Sequence, residues 1–486
     1  MLKLFNSLTG KTEEVSLPKK VKWYNCGPTI YNKSHIGHAR SFITFDVMRR
    51  FIESLGHEVV YVMNITDIDD KIINKIRQLK PDTEISHEQY LNFINEMENH
   101  FWNDMDKLGN KKPTIITRVS EYIPQMIEYI QKIMDNGYAY PSNGSVYFDV
   151  TKFQQDFPNV GLIDTSGNIH NQEEFIQDKR DPKDFALWKA VKPNEISWDS
   201  PWGKGRVGWH LECSTMIYST LGNTIDIHSG GIDLKHLHHN NEFMQSVAFS
   251  KNEHWTNYFF HSGHIFIDKE KMSQSIGNTI LIDDFLEKLG TARQLRLLVV
   301  RHQWNKPIDF SIEDIEQTKI IDTRIQNFFD HFKYLKKLLG NNKSRIDETD
   351  LDFLKLIENK KEKMKQQLLD NFNTSSVMSE IMELINATFA FAEKKQNILL
   401  IEKVYETIKD VLNIFNLNYE INNSDSIEPF VETVIQIRKD IRDEAIRTKN
   451  KNLFDLSDKI RDKYLLSIGI QLEDLKGQTK WKSVNN

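Results

Sequence analysis

The hydrophobic period of the chain changes twice between residues 21 and 66, and this constrains the fold more than any other feature. "VKWYNC" (21–26) is an apolar run of strand length that ends at the turn residues Gly27 and Pro28. From 36 to 55 the apolar side chains Phe42, Phe45, Met48, Ile52 and Leu55 follow helical spacing. Gly56 stands just past them, where a helix stop favours a residue free to adopt positive φ. "HEVVYVMNIT" (57–66) then returns as an apolar strand. Strand, helix, strand is a βαβ unit, and it predicts an α/β fold with a parallel sheet.

The stretch "YNCGPTIYNKSHIGHAR" (24–40) lies where the first strand hands over to the helix. Cys26, His35 and His38 permit two readings, a metal site or a phosphate site that stands near a cysteine. Ligands of open α/β sheets bind beyond the carboxyl ends of strands, and helix N-termini attract phosphate. Position therefore favours the phosphate reading for His35 and His38.

The chain has 486 residues, enough for two to four domains. No run approaches the roughly 18 apolar residues of a membrane-spanning helix. The N-terminus "MLKLFNSLTGKTEEV" lacks the features of a signal peptide, so the expectation is a cytoplasmic protein with no membrane partner. Two cysteines exclude a disulfide framework and leave each as buried packing or a ligand. A net charge of −6 requires any nucleic-acid surface to be a local basic patch.

Further along, 121–138 reads as a helix and "GSVYFDV" as a strand. Residues 181–209, rich in Pro, Gly and Trp, read as loops. A second α/β section follows with "NTIDIHSGGIDL" and "HLHHNNEFMQSVAFS". From about 310 the helical spacing of Leu, Ile and Phe among Lys, Glu and Asn predicts a bundle, with a boundary near 320. "GKGRVG" (203–208) fits G-x-G-x-x-G, but it follows "SPW" instead of an apolar strand and is set aside. No P-loop pattern is present.

"KMSQSIGNTI" (271–280) would be plain surface if it stood alone. Paired with "HIGH" (35–38) it gains meaning, because a loop lysine can neutralise nucleotide phosphates while imidazoles at a helix start hold the α-phosphate region. The two together resemble the paired signature of class I aminoacyl-tRNA synthetases. "CGPTIYNKSHIGHAR", "NITDIDDKI", "DFALWK", "SPWGKGRVGWHLECS", "DIHSGGIDL" and "HHNNE" resemble, in order, the cysteinyl-tRNA synthetase family, and "LEDLKGQTKW" recurs near the end. Two departures stand out. Gln274 replaces the second lysine of the usual KMSKS, and Asn240 replaces an acid of the usual HHENE.

The resemblance implies a Rossmann-like parallel-sheet catalytic domain with an inserted connective domain, then a C-terminal α-helical bundle and a small anticodon-binding end. The implied division is 1–120 and 202–253 for the catalytic halves, 121–201 for the insertion and 254–320 for a stem-contact region. The bundle would occupy 321–425 and the anticodon-binding region 426–486. It implies ligation of L-cysteine to tRNA(Cys) with ATP and Mg²⁺, by a monomer, with His35, His38 and Lys271 as catalytic groups. Gly37, Gly230, Gly231, Asp233 and Ser273 would join these three around ATP. Thr29, Thr66, Trp209 and His228 would line the cysteine pocket.

His238 and Glu242 are four apart, on one face of a helix. With Cys26 and Cys213 they make a zinc-type donor set, though three separate segments have no fixed spacing. The resemblance implies that these four hold one Zn²⁺. A thiophilic metal would distinguish cysteine from serine, which a hydrophobic pocket rejects poorly. His239 stays open between a neighbour of the metal and a solvent-facing residue.

Residues 331–346 carry five Lys or Arg and no acid, and Lys476, Lys480 and Lys482 flank Trp481. A solvated helix face accounts for such runs, as does contact with tRNA phosphates, with Trp481 stacking on an unpaired base. Two alternatives compete with the synthetase reading. One is a cysteine ligase acting on an amino-sugar, which lacks the long C-terminal part. The other is a non-catalytic tRNA-binding paralogue, which predicts lost site residues.

Overall fold

The expected βαβ unit is present as strand Lys20–Asn25, helix Ile36–Ser54 and strand Glu58–Ile65 in the computed structural model. The structure describes residues 1–79, 85–160, 176–192, 195–267, 270–271, 279–339, 346–395, 397–419, 428–467, 470–475 and 478–483. The helix stops at the expected place, with Leu55 as C-cap and Gly56 at φ +92°. That backbone region is costly for any residue with a Cβ.

Both strands belong to a five-stranded sheet in the order Thr256–Ser262, Ile225–Gly231, Lys20–Asn25, Glu58–Ile65, Ile115–Arg118. Every neighbouring pair is parallel, as the α/β reading predicts. Chain order runs outward in one direction from Lys20–Asn25, then jumps to its other side with Ile225–Gly231. The strand order reverses there, and the carboxyl ends of these two strands open the crevice where such sheets bind ligands.

Trp23 fills the sheet centre and meets Phe45, Tyr61 and Phe260 edge-on at 5.3–6.5 Å. The Ile36–Ser54 helix covers this face with Ile36, Ala39, Ile43, Phe45, Met48 and Ile52. It also buries Arg40, Asp46 and Arg49. Arg40 donates to the carbonyls of Gly263 and Lys306 and thereby anchors the helix to the segment after the last sheet strand.

Residues 181–209 differ from their expected loop character. Strand Phe185–Ala190 pairs antiparallel with Ser145–Phe148 and with Gly205–Val207, and Ala139–Ser142 completes a four-stranded sheet. The glycines misled because they serve close packing instead of turning. A Cβ on Gly205 would lie 2.2 Å from the Lys189 carbonyl oxygen, and one on Gly208 2.0 Å from that of Ala186. Phe185, Ala186, Leu187 and Trp188 are all buried, so the strand carries no alternating signal.

Helices Ile312–Leu339, Glu348–Leu369, Thr374–Lys394 and Ile398–Ile414 form the expected bundle. Residues Met1–Asn418 make one compact unit and Tyr419–Asn486 a second. The second contains helices Glu428–Thr448 and Lys451–Lys459 and a hairpin of Ile470–Leu475 with Gln478–Ser483. Val431, Leu465, Ile470 and Leu472 are its core, and Trp481 packs against them. Arg438 grips Asp474 through two hydrogen bonds of 2.8 and 2.6 Å. Among the described residues no helix is long and apolar enough to cross a membrane.

Arg296, on helix Ala292–Val300, is almost fully buried and pairs with Asp46 of the Ile36–Ser54 helix. It also donates to the carbonyls of Leu108 and Phe415 and to Asn110 Oδ1. One guanidinium thus joins four segments of the larger unit. Arg296→Met removes the four-way link and leaves Asp46 with Arg50 and the Lys111 N–H, so the loss should be about 2–4 kcal/mol. Scanning fluorimetry should show the melting temperature falling by several degrees, while Arg461→Met, at a mostly exposed ion pair, leaves it within a degree or so.

Candidate active site

Cys26 directly follows strand Lys20–Asn25, and its N–H donates to the Ser229 carbonyl at 2.9 Å. Cys213 lies in helix Trp209–Leu221, which begins after Gly208. His238 sits in a widened helical turn, Lys235–His239, that runs into helix Asn240–Ser250 and Glu242. The predicted shared face is real: His238 Nε2 lies 2.8 Å from Glu242 Oε1. Cys26 Sγ is 3.7 Å from Cys213 Sγ and 3.6 Å from Glu242 Oε1.

The ligand atoms of Cys26, Cys213, His238 and Glu242 all fall within 4.8 Å of one another, and all four residues are buried. Donors about 2.0–2.3 Å from a tetrahedral zinc stand roughly 3.5 Å apart. The quartet therefore fits the metal in donor type and in spacing. Cys26, His228, His239 and Glu242 form an overlapping set. In that set His228 Nε2 meets Glu242 Oε2 at 2.7 Å, a contact suited to orienting the carboxylate from behind.

Charge is distributed unevenly over the quartet. Burial raises the Cys213 thiol, but the hydrogen bond from Cys26 and the charge of His238 outweigh it and hold it at about 6. Burial and the neighbouring Cys213 push the Cys26 thiol up. Burial works against the Glu242 carboxylate, yet His228 and His238 keep it well below the usual carboxylate range. One thiolate and one carboxylate are thus present before any cation arrives, a donor chemistry ready for a divalent metal.

His239, left open by the sequence, is fully buried. Its Nε2 is 3.3 Å from Cys26 Sγ and its Nδ1 2.7 Å from His261 Nε2. His210 Nδ1 lies 3.3 Å from His238 Nδ1. Sequence reasoning missed His210, His261 and Glu212. Only His210 carried a signal, one helical turn before Cys213.

The other crevice wall is the start of the Ile36–Ser54 helix. His35 is its N-cap, with Nδ1 accepting from the Gly37 N–H at 3.1 Å, and His38 Nδ1 accepts from the His35 N–H at 3.4 Å. Both accepting contacts leave the ring proton on Nε2. The rings stack at 3.9 Å. Burial lowers His35 to about 3, helped by His38 and opposed by Asp233, and burial with Lys71 lowers His38 to about 4. At neutral pH both rings are uncharged N–H donors beside a helix N-terminus.

Thr29 and Thr66 pair across the ends of their strands. The Trp209 ring lies 4.7 Å from that of His238, and Lys71 Nζ stands over both Trp209 and Tyr31 at about 5.5 Å. A Cβ on Gly230 would come within 2.9 Å of the His239 ring, so glycine is needed for this approach. Gly231 leads into the turn Ile232–Leu234 that carries Asp233. Lys271 pairs with Phe266 in a short antiparallel strand. Ser273 and Gln274 lie outside the described residues. Downstream, Ile36 N–H donates to the Ile280 carbonyl and Ile282 N–H to that of Ser34, both at 3.0 Å. The segment following the second signature is thus bonded to the first.

The depressed histidines make a pH prediction. From about 6.5 down to about 4 for His38 and about 3 for His35, the unfolded chain binds protons that the folded chain refuses, so the contribution of these two groups to stability falls as pH drops through that window. His35→Asn with His38→Asn should make this part of a stability-against-pH curve, measured by chemical denaturation, shallower, with the buried His210, His239 and His261 supplying the slope that remains.

A sequence profile for the tRNA synthetases class I (C) catalytic domain matches residues 12–320. The chain is 38% identical to a Dictyostelium discoideum protein named cysteine–tRNA ligase, cytoplasmic, over 98% of this chain and 77% of the relative. It is 39% identical to a Fusobacterium nucleatum cysteine–tRNA ligase, over 99% of this chain and all of the relative. Among solved structures, Mycobacterium tuberculosis methionyl-tRNA synthetase with methionyl-adenylate aligns with a TM-score of 0.59 at 14% identity. That alignment covers 82% of this chain and 90% of the other, and at such identity it supports the fold alone. With a profile match across most of the chain and relatives at 38–39% identity along nearly all of it, the protein belongs to the class I aminoacyl-tRNA synthetases of the cysteine type.

Proposed function

We propose that this chain joins L-cysteine to tRNA(Cys) in two steps. The cysteine carboxylate attacks the α-phosphate of ATP, forming cysteinyl-adenylate and releasing pyrophosphate. A hydroxyl of the terminal tRNA ribose then attacks the carbonyl carbon and releases AMP. The observation that supports this most is the buried quartet Cys26, Cys213, His238 and Glu242 in the same crevice as His35 and His38.

In this reading the neutral rings of His35 and His38 donate Nε2–H bonds to phosphate oxygens, and the helix N-terminus adds its own positive field. Lys271 neutralises charge that develops on the leaving pyrophosphate, with Ser273 beside it, and Mg²⁺ accompanies ATP. Gly230 and Gly231 let the nucleotide approach the backbone, and Asp233 accepts from the ribose hydroxyls. Thr29, Thr66, Trp209 and His228 hold the amino acid. Cys26, Cys213, His238 and Glu242 would hold a zinc ion, which supplies a soft centre that favours a thiolate over a hydroxyl. An apolar pocket alone rejects an isosteric hydroxyl by only about 10².

The domain reading follows: 1–120 and 202–253 perform the chemistry, 121–201 receives the acceptor end, and 254–320 contacts the stem. Residues 321–425 support the tRNA and 426–486 read the anticodon, with Trp481 offered to a base. The protein acts as a monomer in the cytoplasm.

Charging of total tRNA with labelled cysteine, serine run in parallel, tests the reading. Cysteine should attach and serine should not. Absence of charging with intact cysteine-dependent pyrophosphate exchange would move the acceptor elsewhere, to a molecule such as an amino-sugar. Cys213→Ser should lower both the zinc content and the rate of cysteine activation by at least about tenfold. Full zinc content with full activation would remove Cys213 from the site.

A further inference from the structure

Lys71 carries a charge that the protein does not answer with a carboxylate. It lies in the first turn of helix Asp70–Leu79. Its Nζ is 5.6 Å from the centre of the Tyr31 ring and 5.5 Å from that of Trp209, within reach of both π-faces. The two acids before it in sequence are engaged elsewhere. Asp69 Oδ1 accepts from the Lys71 main-chain N–H at 2.7 Å, and the Asp70 carboxylate meets Lys189 and Arg206. Among the described residues the Lys71 ammonium group makes no ion pair and donates no hydrogen bond.

The place of this cation gives it meaning. Tyr31, His38 and Trp209 are each half-buried and keep an open side, and Lys71 itself is exposed. The Trp209 ring lies 4.7 Å from that of His238, at the end of the crevice where the quartet sits. His38 belongs to the phosphate end, and the charge of Lys71 is one reason its ring stays neutral. Lys71 is thus within reach of both ends, where an amino acid held at one must meet ATP held at the other. The phosphate end has a helix N-terminus and Lys271 to offset its negative charge. The groups given to the amino acid, Thr29, Thr66, Trp209 and His228, include no lysine or arginine, and His228 is spent on Glu242. Yet the amino acid arrives as a carboxylate and must approach a polyphosphate of the same sign. We infer that Lys71 is a substrate-binding residue whose ammonium group, seated on the Tyr31 and Trp209 rings, pairs with the carboxylate of the amino acid and holds it toward the α-phosphate. This rests on the cysteine reading of the crevice and adds to it the group that reads the carboxylate end. The rings keep the ammonium group off Asp69 and shield its flanks from water, which strengthens a charge pair.

The test compares cysteine with cysteamine, which keeps the thiol and the amine and lacks the carboxylate. Calorimetry on the full metal-loaded chain without ATP gives both dissociation constants in the absence of turnover, and metal analysis is run on each variant. Wild-type protein should favour cysteine. Lys71→Met should reduce the ratio of the two constants about fivefold or more at unchanged metal content. Lys71→Arg, which keeps the charge and can stack on both rings, should hold the ratio within about twofold. An unchanged ratio in Lys71→Met, or equal weakening of both ligands, overturns the proposal. If ATP binding, titrated in the same way, is then the only affinity to fall, the charge belongs to the phosphates instead. A ratio lost as fully in Lys71→Arg as in Lys71→Met also overturns it, because charge would not be what is read. Wild-type protein that binds cysteine and cysteamine equally overturns the inference and leaves the cysteine reading in place. Wild-type protein that binds neither defeats the cysteine reading itself, and the inference with it.

Discussion

The crevice depends on the register between Lys20–Asn25 and Ile225–Gly231, two strands that lie some 200 residues apart in sequence yet are neighbours in the sheet. A slip of one residue would turn every side chain of a strand to the opposite face. Trp23 Nε1 donates to Ser229 Oγ, which donates to Asn25 Oδ1, both at 2.7 Å, and all three residues are buried. This polar pin sits inside an otherwise apolar sheet centre, where an unmatched partner is penalised. It fixes which residue of each strand ends beside which. Cys26 consequently emerges next to Ser229, and His228 faces the same cluster as Glu242.

A charged cluster behind that register is expensive to keep dry. Glu242 is buried completely, and an isolated carboxylate there would simply take up a proton. Two imidazoles answer it, one on each oxygen, and Cys213 answers the His238 imidazole. Cores that serve stability alone fill such space with packed hydrophobic side chains. The sheet and its Trp23-centred packing supply the rigidity, while the cluster holds groups whose value lies in what they bind.

Local patterns were legible in the sequence and long-range ones were not. The Ile36–Ser54 helix and its flanking strands showed because period and stop signal lie within a few residues of one another. The His238–Glu242 face showed for the same reason. Strand Phe185–Ala190 stayed hidden, since burial on both faces erases alternation, and Gly205 and Gly208 resemble turn residues until the backbone they approach is known. Glu212 and His261 carried no mark at all. A lone glutamate beside a cysteine is ordinary, and only the fold brings Asn64 and Thr66 to it. The gathering of Cys26, Cys213 and the His238–Glu242 pair was legible only through family resemblance, because three segments joined by a sheet have no common spacing.

The two signature segments meet at their flanks. Ser34–Ile36 and Ile280–Ile282 are joined by two backbone hydrogen bonds, and Lys33 pairs with Asp283 beside them. Gln274 in place of the usual lysine removes one positive charge from the second signature. Asn240, in place of an acid, begins the helix that carries Glu242 but is not one of the four donors. Main-chain bonds from Cys26 to Ser229 and from Ile36 to Ile280, with the Trp23–Ser229–Asn25 pin, set the walls from which Cys26 and His35 project, while His228 and His238 hold the Glu242 carboxylate.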